Sequence, residues 1–164
     1  MQPIFKLALI PGITATFIAF LVTPFIIKLA KKFKVIDDPN VNKHIKVIHK
    51  YPVPRMGGLA TYLAILLPSL IFLPVDKHLI GILIGLTLIT LVGILDDKYN
   101  LNPYLRLLLG LLAALAPIAA GIGISFISNP SGGIIDLSSP QIVINFLGRQ
   151  RSIWILSDLF GLFW

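Results

Sequence analysis

The residues best suited to bind a phosphate group lie in the segment from 49 to 62. In this segment Arg55 stands between a Pro-Val-Pro run and the pair Gly57-Gly58. The two prolines restrict φ and favour an extended run, and the glycines stand where a helix is expected to begin. The free N–H groups at a helix start attract an anion, and an arginine can add a bidentate contact. This segment therefore predicts a site for phosphate.

The second chemical feature is the pair Asp96-Asp97, which follows directly on an apolar segment that we expect to be a helix. The C-terminal end of a helix disfavours an anion by about 0.3–1 kcal/mol, and adjacent carboxylates repel each other. A Mg²⁺ ion held by both carboxylates and by substrate phosphates would offset both effects. A solvated helix end, with Asp capping the next turn beside Lys98, explains the pair equally well.

Other basic residues have a simpler explanation. The lysines at 28, 31, 32 and 34 follow an apolar segment, as expected for the cytoplasmic end of a membrane helix. Arg55 differs from them because the surrounding prolines and glycines fix its position, which favours a role in phosphate binding. His44 and His49 are compatible with solvated loop positions and with a site.

The composition is that of an integral membrane protein. Of the 164 residues, 56% are apolar and 13% are charged, and the mean hydropathy is +0.90. The net charge of +7 comes from Lys and Arg residues beside apolar segments, which favours anionic lipid headgroups and phosphate substrates over nucleic acid. The absence of cysteine excludes disulfides and thiolate metal ligands.

Four apolar segments are long enough to be membrane helices, since about 20 residues cross roughly 30 Å of hydrocarbon. They cover residues 7–27, 57–75, 79–95, and a stretch from Pro103 to near Gly121 or Gly123. A fifth apolar segment begins at Ser152. We therefore predict an all-α polytopic membrane bundle of about four complete helices and the start of a fifth, in a single membrane domain that covers residues 1–164.

The distribution of charge predicts the orientation. Ten of the fourteen Lys and Arg residues lie in 28–55 and 96–106. The positive-inside rule then places both motif loops in the cytoplasm and the N-terminus outside, in a multi-pass protein of the plasma membrane. On the outer side, a turn at 129–133 and the strand-like runs IIDL and QIVINFL predict a small external β-hairpin.

Three groups of residues in order resemble the polyprenyl-phosphate N-acetylhexosamine-1-phosphate transferases. They are Asp38-Pro39-Asn40 with Lys43, the run from His49 through Arg55 to Leu59, and the run from Gly93 through Asp97 and Pro103 to Arg106. The motif PVPR-x-GG at residues 52–58 is similar to the corresponding motif of one branch of the family, of glycosyltransferase family 4 type. The enzymes of that branch use UDP-GlcNAc and undecaprenyl phosphate. That branch makes lipid-linked precursors of teichoic acids, O-antigens and other surface glycans.

The resemblance implies that polyprenyl phosphate attacks the β-phosphorus of a UDP-N-acetylhexosamine, with Mg²⁺ as cofactor and UMP as leaving group. It implies roles for Asp96 and Asp97 in metal binding and catalysis. It also implies substrate-binding roles for Asn40, Lys43, His49, Arg55, Gly57 and Gly58. A homodimer is compatible with this assignment.

The sequence departs from the family pattern in ways that qualify this expectation. Residues 44–48 look like a short insertion, and Gly110 stands where many members carry Gln. A later Asp-rich motif of the family lies beyond Trp164, so we expect the N-terminal fragment of a larger transferase, inactive on its own. Two other functions stay open: a phospho-MurNAc-pentapeptide translocase of peptidoglycan synthesis, and a membrane transport or scaffold fragment whose Asp pair lines a cation path.

Overall fold

The computed structural model describes residues 2–39, 50–146 and 149–163. In these ranges the chain forms five helices: α1 (Gln2–Lys32), α2 (Gly57–Phe72), α3 (Lys77–Tyr99), α4 (Pro103–Ala119) and α5 (Ile155–Phe163). It also forms six short strands: β1 (Ile36–Asp37), β2 (Val53–Pro54), β3 (Phe126–Ser128), β4 (Ile134–Asp136), β5 (Gln141–Phe146) and β6 (Arg149–Trp154). The mostly helical architecture agrees with the predicted fold class.

Among the described residues, two helices are long and apolar enough to cross a membrane, α1 over Ala8–Lys32 and α3 over Lys77–Tyr99. The other two apolar helices are shorter, with 16 residues in α2 and 17 in α4. A straight crossing of the hydrocarbon takes about 20 residues. The apolar helices are those of a membrane protein, whereas four complete membrane crossings stay a prediction.

The boundaries of α1 and α3 differ from those expected. α1 continues beyond residue 27 through Lys31 and Lys32, because lysine is a good helix former and its charge is favourable at a helix C-terminus. α3 continues to Tyr99, so Asp96 and Asp97 lie in the last turn of the helix and not after its end, as the sequence predicted. The helix ends there because Asn100 adopts the left-handed conformation at φ 51°.

The C-terminus of α1 is closed by two hydrogen bonds of the Schellman type. Lys34 has φ 57°, and its N–H donates to the carbonyl of Lys31 over 3.2 Å. The N–H of Val35 donates to the carbonyl of Ala30 over 2.8 Å. Val35 and Ala30 are both buried, which supplies the apolar contact that accompanies this motif. The cap turns the chain sharply from α1 into β1.

Contacts divide the chain into two compact units, residues 1–75 with 86–110 and residues 76–85 with 111–164. In the first unit, the core is a cluster of Ile26, Ala30, Val35, Met56 and Ala60, which joins the end of α1 to the start of α2. The antiparallel pair β1–β2 lies beside it, with Asp37 opposite Val53. A single domain over residues 1–164 stays a prediction.

In the second unit, glycines let α3 approach α4 closely. A Cβ built on Gly81 would lie 2.3 Å from the Cβ of Ala120, and one on Gly85 would lie 3.0 Å from the carbonyl oxygen of Ala113. The two glycines are four residues apart and therefore share one helix face. Small residues at this spacing are typical of membrane helices that pack backbone to backbone.

The same unit contains two hairpins. β3 pairs with β4 around the predicted turn at 129–133, and β5 pairs with β6. The predicted turn therefore lies in a small hairpin, as expected, and the runs IIDL and QIVINFL contain β4 and β5. The pairing of QIVINFL with β6 in a second hairpin was not predicted. An external location of these hairpins stays a prediction.

The start of α3 is capped by Asp76, whose carboxylate accepts a hydrogen bond from the N–H of Leu79 over 2.8 Å. This bond, together with a second from the ring of His78 over 3.2 Å, holds the pKa of Asp76 below its usual range. The cap therefore favours the charged form of the carboxyl.

The close approach at Gly81 predicts that Gly81→Ala lowers the melting temperature, because the added methyl must displace Ala120. The matched control in the same helix is Gly93→Ala, since a Cβ at Gly93 would meet no atom of the part of the chain that the structure describes within 4 Å. The control should melt at the original temperature or slightly above it, because alanine is the better helix former. Thermal unfolding of both variants in detergent tests this, and equal shifts would contradict the packing described.

The lowered pKa of Asp76 predicts a pH-dependent contribution to stability. The contribution is complete above the ordinary Asp pKa of about 3.9 and is lost as the pH falls through the lower pKa of the folded state. Asp76→Asn can still cap the helix but does not titrate. The stability difference between the original chain and Asp76→Asn should therefore shrink below about pH 4, measured by thermal unfolding at several pH values; a constant difference would argue against the cap.

Candidate active site

Met56, at the N-terminus of α2, adopts a backbone conformation that turns its N–H toward α3. Its φ is 74° and its ψ is 18°, in the left-handed region. This conformation costs an L-residue roughly 1–2 kcal/mol. The buried Met56 side chain and a hydrogen bond to a charged acceptor offset that cost.

That acceptor is Asp97, in the last turn of α3. The Met56 N–H donates to Oδ2 of Asp97 over 2.9 Å. The positive end of α2 therefore lies beside a carboxylate that the negative end of α3 would otherwise disfavour. Among the described residues, Oδ1 of Asp97 has no hydrogen-bond partner. The hydrogen bond to Oδ2 thus fixes the position of the Asp97 carboxylate, and Oδ1 can still accept a hydrogen bond or contact a ligand.

Asp96 has different partners, because neighbouring residues on a helix point about 100° apart. Its Oδ2 accepts a hydrogen bond from Nη1 of Arg106 over 2.9 Å, and its Oδ1 accepts one from the N–H of Leu101 over 3.1 Å. The sequence left open that an Asp of this pair caps the turn after the helix. Asp96 plays this capping role, since it accepts the hydrogen bond from Leu101. Lys98 was the counter-charge expected from the sequence. Its Nζ instead lies over the ring of Tyr99, 5.2 Å from the ring centre.

Arg106 is positioned by the start of α4. Asn102 caps that helix, since its side-chain oxygen accepts a hydrogen bond from the N–H of Tyr104 over 2.9 Å. Pro103 occupies the first helical position, as predicted from the sequence. Arg106 lies one turn further, and its backbone N–H donates to the carbonyl of Asn102 over 3.0 Å.

Arg55 is held by Asp37, a partner that sequence reasoning did not identify. Nη2 of Arg55 lies 3.1 Å from Oδ2 of Asp37, with the two side chains 35% and 19% exposed. The backbone N–H of Arg55 also donates to the carbonyl of Val35 over 3.0 Å. The extended Pro-Val-Pro run could have indicated a strand that pairs with another segment. Its partner is β1, which includes Asp37.

Both carboxylates line one cleft of about 300 Å³ beside the start of α2. Its walls come from α3 and from the first residues of α2; the lining residues are Met56, Gly58, Leu59, Ile89, Thr90, Gly93, Ile94, Asp96 and Asp97. Gly57 and Gly58 are exposed, and a Cβ on either would meet no atom of the described residues within 4 Å. These two glycines therefore leave space beside the start of α2 that no described residue fills.

The structure thus brings Asp96, Asp97 and Gly58 to one cleft, with Arg55 adjacent in the chain to Met56. The predicted substrate-binding residues Asn40, Lys43 and His49 lie outside the described residues. Their roles stay predictions.

The two carboxylates of the cleft are ligands of the type that a magnesium ion takes. Among the described residues, no group of three or more His, Cys, Asp or Glu side chains is placed so that it could hold a metal ion. Mg²⁺ is often bound through one or two carboxylates together with substrate phosphates. A cleft with two carboxylates, one of them with an available oxygen, matches that type of site.

The region that contains the carboxylates also matches a known family. Residues 79–155 match the model for glycosyl transferase family 4. The chain is 31% identical over 149 residues to the "probable undecaprenyl-phosphate N-acetylglucosaminyl 1-phosphate transferase" of Bacillus subtilis (strain 168). The chain belongs to glycosyl transferase family 4.

Other relatives of this family 4 chain come from distant organisms. It is 29% identical over 168 residues to the decaprenyl-phosphate N-acetylglucosaminephosphotransferase of Mycolicibacterium smegmatis. It is 28% identical over 132 residues to a putative UDP-N-acetylglucosamine–dolichyl-phosphate N-acetylglucosaminephosphotransferase of Saccharolobus solfataricus. No solved structure matches the chain. The family resemblance inferred from the motifs is confirmed.

The matches cover most of this chain but less than half of each relative. They include 87%, 96% and 78% of the chain for the Bacillus, Mycolicibacterium and Saccharolobus proteins, and 40%, 40% and 39% of those proteins. The chain therefore spans about two fifths of the length of these relatives.

Because Met56 is left-handed, glycine should be more stable than alanine at this position, the reverse of their usual order inside a helix. Met56→Gly and Met56→Ala both remove the buried side chain, but only glycine adopts φ 74° without strain. We expect Met56→Gly to be the more stable of the two by about 1 kcal/mol. The control pair Leu59→Gly and Leu59→Ala, inside α2, should show the opposite order. Chemical denaturation in detergent measures both differences, and alanine ranking above glycine at Met56 would contradict this geometry.

Proposed function

We propose that this family 4 chain carries part of the active site of an enzyme that transfers N-acetylhexosamine-1-phosphate from a UDP-sugar to polyprenyl phosphate and releases UMP. The observation that carries the proposal is the hydrogen bond from Met56 to Asp97. It brings the positive end of α2 and the carboxylates of α3 to one cleft. The names of the relatives, which specify N-acetylglucosamine and polyprenyl phosphates, favour this reaction over a pentapeptide translocase.

In the proposed reaction, an oxygen of the lipid phosphate forms a bond to the β-phosphorus of the UDP-sugar. The bond from that phosphorus to the oxygen bridging the α-phosphate breaks, and the electron pair leaves with UMP. Both reactants are anions, so the protein must lower their repulsion. The N–H groups at the start of α2, next to Gly57 and Gly58, and the guanidinium of Arg55 are the groups that we assign to phosphate binding.

We assign the two carboxylates to different tasks. Asp97, with one oxygen held by Met56, would hold a Mg²⁺ ion through the other oxygen, and Asp96 would complete the site from its position against Arg106. When bound, the ion would neutralise charge on the phosphates. The ion pair between Arg55 and Asp37 keeps the guanidinium near the start of α2 before substrate binds. From the resemblance, Asn40, Lys43 and His49 would add substrate contacts.

The proposal includes an orientation in the plasma membrane. The motif loops would face the cytoplasm, where UDP-sugars are made, and the N-terminus would lie outside. The excess of Lys and Arg beside the motif residues supports this orientation. Four membrane helices in one domain, and assembly as a homodimer, are further parts of the proposal.

Substitution of Asp97 tests the proposed function. In membranes that contain the complete product of the gene, Asp97→Asn should lower UMP release roughly 100-fold, because an amide holds Mg²⁺ poorly. Asp97→Asn keeps an acceptor for the Met56 N–H, so the protein should fold. Addition of a chelator should abolish the remaining signal of the unsubstituted protein, and added Mg²⁺ should restore it.

Lys31→Ala is the control, because Lys31 is exposed on α1 and belongs to the lysines explained by membrane orientation. Its UMP release should stay within about threefold of the original. Unchanged transfer by Asp97→Asn would refute the assignment of the metal site. Consumption of UDP-MurNAc-pentapeptide in place of UDP-N-acetylglucosamine would identify the other branch.

A further inference from the structure

Gly93 is the glycine of α3 that helix packing does not explain. Gly81 and Gly85, earlier in the same helix, let α4 approach closely. A Cβ on Gly93, by contrast, would meet no atom of the described residues within 4 Å, and the residue is exposed. Glycine destabilises a helix interior relative to alanine. Packing within the described part of the chain therefore gives no reason for a glycine at this position.

Gly93 lies one helical turn before the two carboxylates of the cleft. It precedes Asp96 by three residues and Asp97 by four, and residues at these spacings are neighbours on a helix surface. Side chains on a helix lean toward its N-terminus, so each covers the turn before its own residue. In agreement with this, Gly93, Asp96 and Asp97 line the same cleft. A side chain at residue 93 would therefore enter the space beside both carboxylates.

The facing wall of the cleft also lacks a side chain at one position. There α2 contributes Gly58, whose Cβ would likewise meet no described atom within 4 Å. Thr90 lines the cleft one turn before Gly93, but its hydroxyl donates to the carbonyl of Leu86 over 2.7 Å. The space beside the carboxylates is thus bordered by a glycine from each helix.

A divalent cation needs open space of this kind beside its carboxylate ligands. Mg²⁺ takes an octahedral shell of oxygens at about 2 Å and usually keeps several waters in it. We propose that the missing side chain of Gly93 leaves room beside Asp96 and Asp97 for such a cation with its water and phosphate ligands. The proposal rests on the proposed function and adds to it a residue that acts by leaving space.

Substitutions that fill this space test the proposal. Gly93→Ala adds a methyl group and Gly93→Leu a longer side chain; alanine and leucine both favour a helix, so both variants should fold. The measured quantity is the dissociation constant of Mn²⁺, from electron paramagnetic resonance of the complete product of the gene in detergent. We expect Gly93→Leu to weaken Mn²⁺ binding roughly tenfold and Gly93→Ala about threefold, because leucine extends further toward the carboxylates.

The matched control is Gly12→Leu, which adds the same side chain at an exposed glycine of α1 whose Cβ would also meet no described atom within 4 Å. It should leave Mn²⁺ binding unchanged. Mn²⁺ binding to Gly93→Leu as tight as to the original protein would overturn the proposal, and so would an equal loss in Gly12→Leu. Melting temperatures without metal show whether Gly93→Leu is folded; if it is not, unchanged Mn²⁺ binding by Gly93→Ala overturns the proposal.

Asp97→Asn separates this proposal from the proposed function. If both are right, Asp97→Asn and Gly93→Leu each weaken Mn²⁺ binding. If only the role of Gly93 is wrong, Asp97→Asn still weakens binding and Gly93→Leu does not. If the metal site is wrong, the original protein binds no Mn²⁺ or Asp97→Asn binds it equally well, and the proposal for Gly93 falls with it.

Discussion

The hydrogen bond from the Met56 backbone to Asp97 is the interaction on which the candidate site depends. It links the start of α2 to the end of α3 across 41 residues of sequence. The bond requires the left-handed conformation of Met56, and the burial of the Met56 side chain in the core of the first unit stabilises that conformation. Packing of α1 against α2 therefore contributes directly to the position of a carboxylate.

The two adjacent acids are stabilised by different groups, and this makes them chemically unequal. Asp97 is paired with a backbone N–H at the positive end of a helix, and Asp96 with the guanidinium of Arg106. Together these contacts offset the unfavourable position of two carboxylates at a helix C-terminus. Among the described residues, one oxygen of Asp97 has no hydrogen-bond partner, whereas both oxygens of Asp96 accept hydrogen bonds.

Several hydroxyls of the apolar helices are satisfied within their own helix. They donate to the carbonyl four residues earlier, as from Thr16 to Gly12 and from Thr90 to Leu86. In the second unit, Gly81 and Gly85 replace side-chain contacts with close backbone packing. Both features suit helices in hydrocarbon, where an unsatisfied polar group is costly and hydrophobic burial does not drive association. Charged contacts can then concentrate at the helix ends.

The sequence by itself determined the local features: the apolar segments that became helices, the proline that opens α4, the strand-like runs, and the motifs that identified the family. These depend on short-range propensity and on residue identity. Only the tertiary structure decided the pairing of Arg55 with Asp37, the conformation of Met56 and the different partners of Asp96 and Asp97. Each of these joins residues distant in sequence or depends on packing, so no local pattern encodes it.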